Sequence, residues 1–301
     1  MSQYLSIDIG GTKTKYGLLD ASGNILEKKQ ISTPGNKEQF LSKIDGLVEK
    51  YHTNIKGLAF CAPGKVDHNQ ISFGGSLPFL DGINFTKCYK EQYGLSTSVI
   101  NDGKASVLAE NWLGSLKDEP NCADITLGTA VGGGIIINGQ LLSGVHSQAG
   151  EFSFMIHDYQ HAKHMEGNVG GSDSAVNLVK EINNATDFNG DKTDGYHAFE
   201  LIENQDPIAS KIFKEYCLKI AILILNIQSV VDIRKVAIGG GISENQLVVQ
   251  GINKAYRHLV CDLNPMIGDT LTAPQIVEAS FKNSANLFGA LYNLLLEIDN
   301  K

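Results

Sequence analysis

The chain lacks any pair of cysteines in C-x-x-C spacing, and those it has (Cys61, Cys88, Cys122, Cys217 and Cys261) are odd in number. That pattern argues against a disulfide framework and against a cysteine-built structural zinc site. Positive charge is also scarce, with 25 Lys and Arg against 33 Asp and Glu, a formal net charge of −8. The lysines are scattered among acids and form no basic stripe, so a nucleic-acid partner is not expected. Long apolar runs are missing: the most apolar stretch, residues 220–231, falls short of the roughly 20 residues of a bilayer-crossing helix. The opening MSQYLSIDIGG has no basic region followed by an apolar core, so no secretory signal is expected. Together these absences suggest a cytoplasmic protein without a membrane partner. The P-loop pattern G-x-x-x-x-G-K-[ST] and the dinucleotide fingerprint G-x-G-x-x-G are absent as well.

What is present is an ordinary globular composition, 42% hydrophobic and 19% charged over 301 residues, too long for one core and so suggestive of two lobes. Residues 4–9 alternate as a strand and end in a Gly-Gly-Thr turn. Residues 16–19 and 25–31 read as two more strands. Phe40, Leu41, Ile44, Leu47 and Val48 recur at helical spacing within residues 37–51. Residues 57–61 read as a buried strand stopped by Pro63-Gly64, and residues 98–100 as a strand running into Asn101-Asp102, with a helix over 105–112. A polar stretch at residues 117–120 separates the lobes, giving expected units of 1–118 and 119–301, the last helix being free to pack back on the first. Strand, glycine turn and strand then recur at residues 124–137, an internal echo that suggests a duplicated lobe. Long buried helices are expected over 208–231 and 284–298, and a strand over 235–238. The class is α/β.

Three glycine clusters could carry chemistry. Gly10-Gly11-Thr12-Lys13 follows a strand ending in Asp8; glycines let backbone N–H groups approach a phosphate, and Asp8 could hold magnesium directly or through water. Gly128 to Gly134, with Thr129, Gly132 and Gly133, repeats the device. Gly239-Gly240-Gly241 would let the backbone pass a nucleotide's base or ribose, with Ser243 a candidate helix cap. Each cluster alone is equally well an ordinary loop. Asn101-Asp102-Gly103 is either a turn or cap, or a carboxylate at the carboxyl end of a strand, where open α/β sheets bind ligands. Glu151, after a loop of small residues, is either a surface acid or a ligand for vicinal hydroxyls. His157, His161 and His164 would share a helical face able to bind zinc, but their segment is polar and loop-like, which favours solvated histidines.

In this order, Asp8-Ile-Gly-Gly-Thr12, Ala62-Pro-Gly-Lys-Val-Asp67, Asn101-Asp102, residues 127–134, Gly150-Glu151, residues 238–241 and the tail Asn283-Ser-Ala-Asn-Leu-Phe-Gly-Ala290 resemble the ROK family of repressors, open reading frames and sugar kinases. The resemblance implies a two-lobed actin-like ATPase (hexokinase-like) fold around a central cleft, ATP and magnesium as cofactors, a sugar substrate and a homodimer. It makes Asp102 the catalytic base and gives Gly64, Asn101 and Glu151 to the sugar. Asp8 and residues 10–13, 129–133 and 239–241 fall to ATP. Where many members carry G-E-x-G-H, this chain has Phe154 in place of the histidine, and the cysteine-rich zinc segment is replaced by residues 167–173. No structural zinc is therefore expected, and Asp173 or Glu166 would stand in for a later sugar-binding glutamate. Zinc-less members resemble β-glucoside kinases, which implies O6 of cellobiose or a related glucoside as acceptor. N-acetylmannosamine and glucose are the alternatives. A sugar-responsive repressor is disfavoured, since Asp8 leaves no room for a preceding helix-turn-helix, and a catalytically dead scaffold would be expected to lose Asp102 or a phosphate loop.

Overall fold

The computed structural model describes residues 2–299. Contacts divide the chain into two compact units. Residues 2–118, 141–149 and 283–299 form one, and residues 119–140 and 150–282 the other. Among the described residues, the strands make two five-stranded sheets and one two-stranded ribbon. No helix among the described residues is long and apolar enough to cross a membrane.

The first sheet has the order β3-β2-β1-β4-β7, from Ile25–Ser32, Lys13–Asp20, Gln3–Ile9, Gly57–Ala62 and Ser96–Asn101. β1 and β2 form an antiparallel hairpin, while β1, β4 and β7 run parallel. The ribbon is β5 (Lys65–Asp67) with β6 (Gln70–Phe73). β1 and β4 are buried along almost their whole length, as expected for strands covered on both faces. Helix α1, Lys37–Tyr51, starts at Asn36, whose side chain accepts from the Gln39 N–H at 3.0 Å. It buries Phe40, Ile44 and Val48 at the spacing of one helical face. Under it, Phe60 of β4 stacks on Phe85 of α2 (Phe85–Tyr93) with centroids 4.2 Å apart. Truncating Phe60 to Ala would cost about 3–5 kcal/mol, the usual figure for a buried aromatic.

α3, Asp102–Leu113, begins directly at the end of β7. It packs on the final helix of the chain, Ala285–Asp299, at Gly289: a methyl group there would collide with the Ala105 carbonyl. The start of that helix is stitched to the first sheet, where the Ser6 hydroxyl donates to the Leu287 carbonyl at 2.7 Å and Lys15 donates to the Asn283 carbonyl at 3.0 Å. Residues 141–149 join the same unit through Ser147, whose carbonyl accepts from Lys104 and whose hydroxyl donates to Asp67 at 3.1 Å.

The second sheet repeats the plan in the order β10-β9-β8-β11-β12, from Gln140–Leu141, Val131–Ile137, Cys122–Leu127, Lys235–Gly239 and Gln275–Glu278. β8 and β9 are the antiparallel hairpin, and β8, β11 and β12 are parallel. Helices α4 (Val169–Ser172), α5 (Ala175–Ala185), α6 (Gly195–Glu203), α7 (Pro207–Val231), α8 (Gln246–Arg257) and α9 (Pro265–Thr270) belong to this unit, and α10 is the final helix just described. α7 buries one face along its length, with Ile212, Tyr216, Ile220, Leu223 and Ile227 recurring at helical spacing. Burial raises the Cys217 thiol to about 12, so it is an inert core group. An open cavity of about 1070 Å³ lies along α7 and α8; its lining, which includes Phe213, Leu247 and Gly251, contains none of the expected site residues.

Candidate active site

In the first unit, register brings the expected residues to the carboxyl ends of three parallel strands. Asp8 of β1 lies beside Cys61 of β4, and Ala62 of β4 beside Asn101 of β7. Asp8 is 7% exposed, and burial pushes its carboxyl above the usual range against the opposing pull of Asn286 and Lys15. Asn286 donates to its Oδ1 at 3.1 Å, and the Lys15 ammonium lies 3.7 Å from its Oδ2. The neighbouring Cys61 thiol is raised well above its ordinary value, first by burial and then by the Asp8 charge. The turn that follows is closed by the Gly10 N–H donating to the Lys13 carbonyl at 3.2 Å, while Thr33 donates to the Gly10 carbonyl at 2.7 Å. Gly11, Thr12 and Lys13 are exposed at its tip.

Asn101 has two tasks. Its side-chain oxygen caps α3 by accepting from the N–H groups of Gly103 and Lys104, and its amide donates to the Gly64 carbonyl at 2.9 Å. Gly64 needs to be glycine: φ is +84°, and a methyl group would reach the Gly75 nitrogen at 2.6 Å. The cap leaves Asp102 as the first residue of α3, exposed, whereas residues 103–110 are buried. Its Oδ1 accepts from the Gly103 N–H at 2.9 Å. The two sequence-level options for Asn-Asp-Gly therefore divide between neighbours: Asn101 is the cap, and Asp102 is a solvent-facing carboxylate at a strand end.

In the second unit, the β8–β9 turn is closed by the Gly128 N–H donating to the Ala130 carbonyl at 3.0 Å, with Thr129 and Ala130 exposed. Gly132 lies beside Thr126, and Gly133 leaves room for the Phe152 ring. The third cluster adjoins this turn. Gly239 lies next to Asp124 and Thr126, and Gly240, at φ +94°, folds so closely over Leu127 that a methyl group would strike its backbone. Ser243 is not the helix cap: it donates to the Gly240 carbonyl inside a 3₁₀ turn, and Asn245 caps α8. Glu151 is half-buried at the start of the 3₁₀ turn Phe152–Phe154, which the Ser153 hydroxyl ties to Val131 of β9.

Asp173 departs from its expected role as a sugar ligand. It is 0% exposed, its Oδ2 lies 2.7 Å from His157 Nδ1, and its Oδ1 accepts from the Ser172 hydroxyl at 2.8 Å. Its partners are inside the protein. Glu166, the alternative, is exposed. His157, His161 and His164 share no helical face: His157 pairs with Asp173, His161 with Asp158, and His164 precedes another 3₁₀ turn. Among the described residues, no three His, Cys, Asp or Glu side chains converge as a metal site. Residues 167–173 bring a glycine-rich turn and one buried acid, which do not fit a tetrahedral zinc.

Three neighbours of Asp8 escaped the sequence. Lys15 could have been found, since it lies opposite Asp8 across the turn. Cys61 and Asn286 come from distant parts of the chain, with no local signal.

Residues 4–296 match the model of the ROK family. A beta-glucoside kinase of Listeria monocytogenes serovar 1/2a is 28% identical over 297 residues, covering 97% of each chain. A ROK family protein from Streptococcus pneumoniae, solved in complex with sucrose, matches the fold with a TM-score of 0.88 at 29% identity, over 99% of this chain and 100% of that one. A ROK family glucokinase from Streptomyces griseus, in complex with glucose and AMPPNP, gives 0.79 at 26% identity, over 96% and 98%. The two repeated sheets accordingly belong to an actin-like ATPase fold.

Proposed function

Because the chain belongs to the ROK family, we propose that it is an ATP-dependent sugar kinase whose acceptor is the O6 hydroxyl of a β-glucoside such as cellobiose. The observation that carries the kinase assignment is Asp102, an exposed carboxylate at the end of β7 whose neighbours Asn101 and Gly64 are locked to each other. Asp102 would accept the proton from O6 as that oxygen bonds to the γ-phosphorus. The bond from phosphorus to the bridging oxygen breaks, and ADP leaves. A positioned base is worth about 10²–10⁴ in rate, and charge neutralisation with positioning supplies most of the remainder.

Asp8 suits a magnesium ion, directly or through water, because a carboxylate oxygen is the ligand that cation takes and Asn286 and Lys15 already fix its orientation. The ion would neutralise phosphate charge. Residues 10–13 in one unit, and 129–133 with 239–241 in the other, are the candidates for ATP. Glu151 remains the candidate for sugar hydroxyls alongside Asn101, while Asp173 is reassigned below.

Support for a glucoside comes from the Listeria relative's name and from the disaccharide bound to the Streptococcus protein. Phe154, which stands where many family members carry a histidine, is 68% exposed and so presents an aromatic face on which a second sugar ring could stack. The test is an ADP-release assay over cellobiose, other β-glucosides, glucose and N-acetylmannosamine. Cellobiose should give the highest kcat/KM; a monosaccharide far ahead of it would overturn the acceptor, and no turnover with any sugar would overturn the kinase.

A further inference from the structure

The segment that carries Glu151 is anchored at its start, where Phe152 is 3% exposed and packs against Gly133. From Phe154, the last residue of the 3₁₀ turn, onward, three large side chains face solvent: Phe154 is 68% exposed, Ile156 55% and Tyr159 83%. A segment with so little apolar burial should open easily unless polar contacts fix it. At its start, Ser153 is bound to both the N–H and the carbonyl of Val131. At its far end, both ring nitrogens of His157 have partners: Nδ1 lies 2.7 Å from Asp173 Oδ2, and Nε2 lies 3.2 Å from the Ser172 hydroxyl. That hydroxyl also bonds the Asn168 carbonyl and Asp173 Oδ1, so His157, Ser172 and Asp173 form a closed ring of contacts. Asp173 in turn faces Lys219 of α7, 3.7 Å from its Oδ1. The backbone runs with the side chains, since the Val169 N–H donates to the Met155 carbonyl at 2.9 Å and the His157 N–H to the Gly167 carbonyl at 3.1 Å.

We propose that His157, Ser172 and Asp173 are a metal-free clasp that fixes residues 151–157 against α4 and α7, and that His157 and Asp173 are thereby positioning residues for the acceptor sugar. The physical logic is one of placement. A carboxylate buried in the protein interior needs partners, and here one of them, at 2.7 Å, is the imidazole at the end of a solvent-facing loop. The loop is therefore pulled inward by the acid's need for compensation. Glu151, six residues before His157 on the same segment, inherits a fixed position from the clasp. A displacement of about 1 Å in a substrate-orienting group can cost about 100-fold, so losing the clasp should weaken sugar use by about 10-fold or more. The kinetic part of the inference rests on the kinase assignment; the structural part does not.

The test uses His157→Ala, His157→Asn, which keeps a donor near the Nδ1 position, and Asp173→Asn. Hydrogen exchange on the ligand-free protein should be faster over residues 151–157 in His157→Ala and Asp173→Asn, unchanged over β8 and β9, and restored in His157→Asn. In the ADP-release assay, His157→Ala should raise the acceptor KM by about 10-fold or more while the KM for ATP stays within about twofold. Unchanged exchange would overturn the clasp. Faster exchange with an unchanged acceptor KM would overturn the positioning role, as would a parallel rise in both KM values with a lowered melting temperature. If the wild-type protein phosphorylates no sugar, the kinase assignment fails, and exchange alone still decides the clasp.

Discussion

The two strand–turn–strand hairpins share a topology and differ in where they put their acid. In the first unit, Asp8 is at the mouth of the turn, two residues before Gly10, with Lys15 and Asn286 upon it. In the second, the corresponding place beside the turn is held by Thr126, and the acid has moved two residues back to Asp124, which is 0% exposed and accepts from the Thr126 hydroxyl at 2.9 Å. The same scaffold thus carries a carboxylate suited to a cation in one copy and a neutral, hydroxyl-lined turn in the other.

Asp102 should give the largest effect on activity. Asp102→Asn should lower kcat by about 10²–10⁴ while melting remains near that of the wild type, because the side chain is exposed and the cap is Asn101. Steady-state kinetics beside thermal melting would show it, and kcat within threefold of wild type would remove the base from Asp102. Asp8→Asn comes next and should move activity and stability in opposite directions. Activity should fall by about 100-fold, a typical cost for one lost electrostatic contact to a reacting group. Stability should rise at pH 7, since burial holds the folded-state pKa above the unfolded value and ionised Asp8 opposes folding there. That penalty is full above the raised pKa and lifts as pH falls through it, so the mutant's advantage should shrink towards pH 3–4. A melting difference independent of pH would contradict this sign.

Glycine loops sharpen the comparison at the level of backbone. Gly240→Ala should cost more than 1 kcal/mol, because φ is +94° and the added methyl meets Leu127. Gly11→Ala should leave stability unchanged within about 0.5 kcal/mol, since no atom lies within 4 Å of the new methyl. Denaturant titration of both mutants would check the pair, and an activity loss in a normally stable Gly11→Ala would assign that turn to ligand. The smallest effect on turnover belongs to Thr126→Val, expected to change kcat less than threefold while destabilising by about 1–3 kcal/mol through lost hydrogen bonding to buried Asp124. A larger fall in kcat would give the second hairpin chemistry of its own.

Much of the local structure was legible because it obeys periodicity. Lys37–Tyr51 announces itself through Phe40, Ile44 and Val48, and Pro207–Val231 through its length and apolar content. Gly10, Gly64, Asn101 and Asp102 were legible as a set because order along the chain preserved them as a pattern. What escaped is nonlocal or marginal. The helix Phe85–Tyr93 is short, and five of its nine residues, Thr86, Lys87, Lys90, Glu91 and Gln92, are polar, so its one stripe of Phe85, Tyr89 and Tyr93 is brief. Nothing near residues 141–149 says that Ser147 will bind Lys104 and Asp67 rather than the strands on either side. Asp173 misled because an acid's sequence neighbourhood does not reveal whether its partner is a ligand or, as here, a histidine sixteen positions earlier. The cap at Asn245 rather than Ser243 reflects an extra 3₁₀ turn that no local preference demanded.

The stitching of the final helix to the first sheet has a consequence for biogenesis. Ser6, Asp8 and Lys15 leave the ribosome early, yet their partners Leu287, Asn286 and Asn283 emerge more than 260 residues later. At roughly 5–20 residues per second, that interval is tens of seconds at the slow end. During it the hairpin's buried acid has no amide to answer it, and the seam that Ala105 offers to Gly289 stays open. The unit that begins first is therefore the one completed last, and translation pauses late in the message should threaten the amino-terminal hairpin more than the sheet being made when they occur.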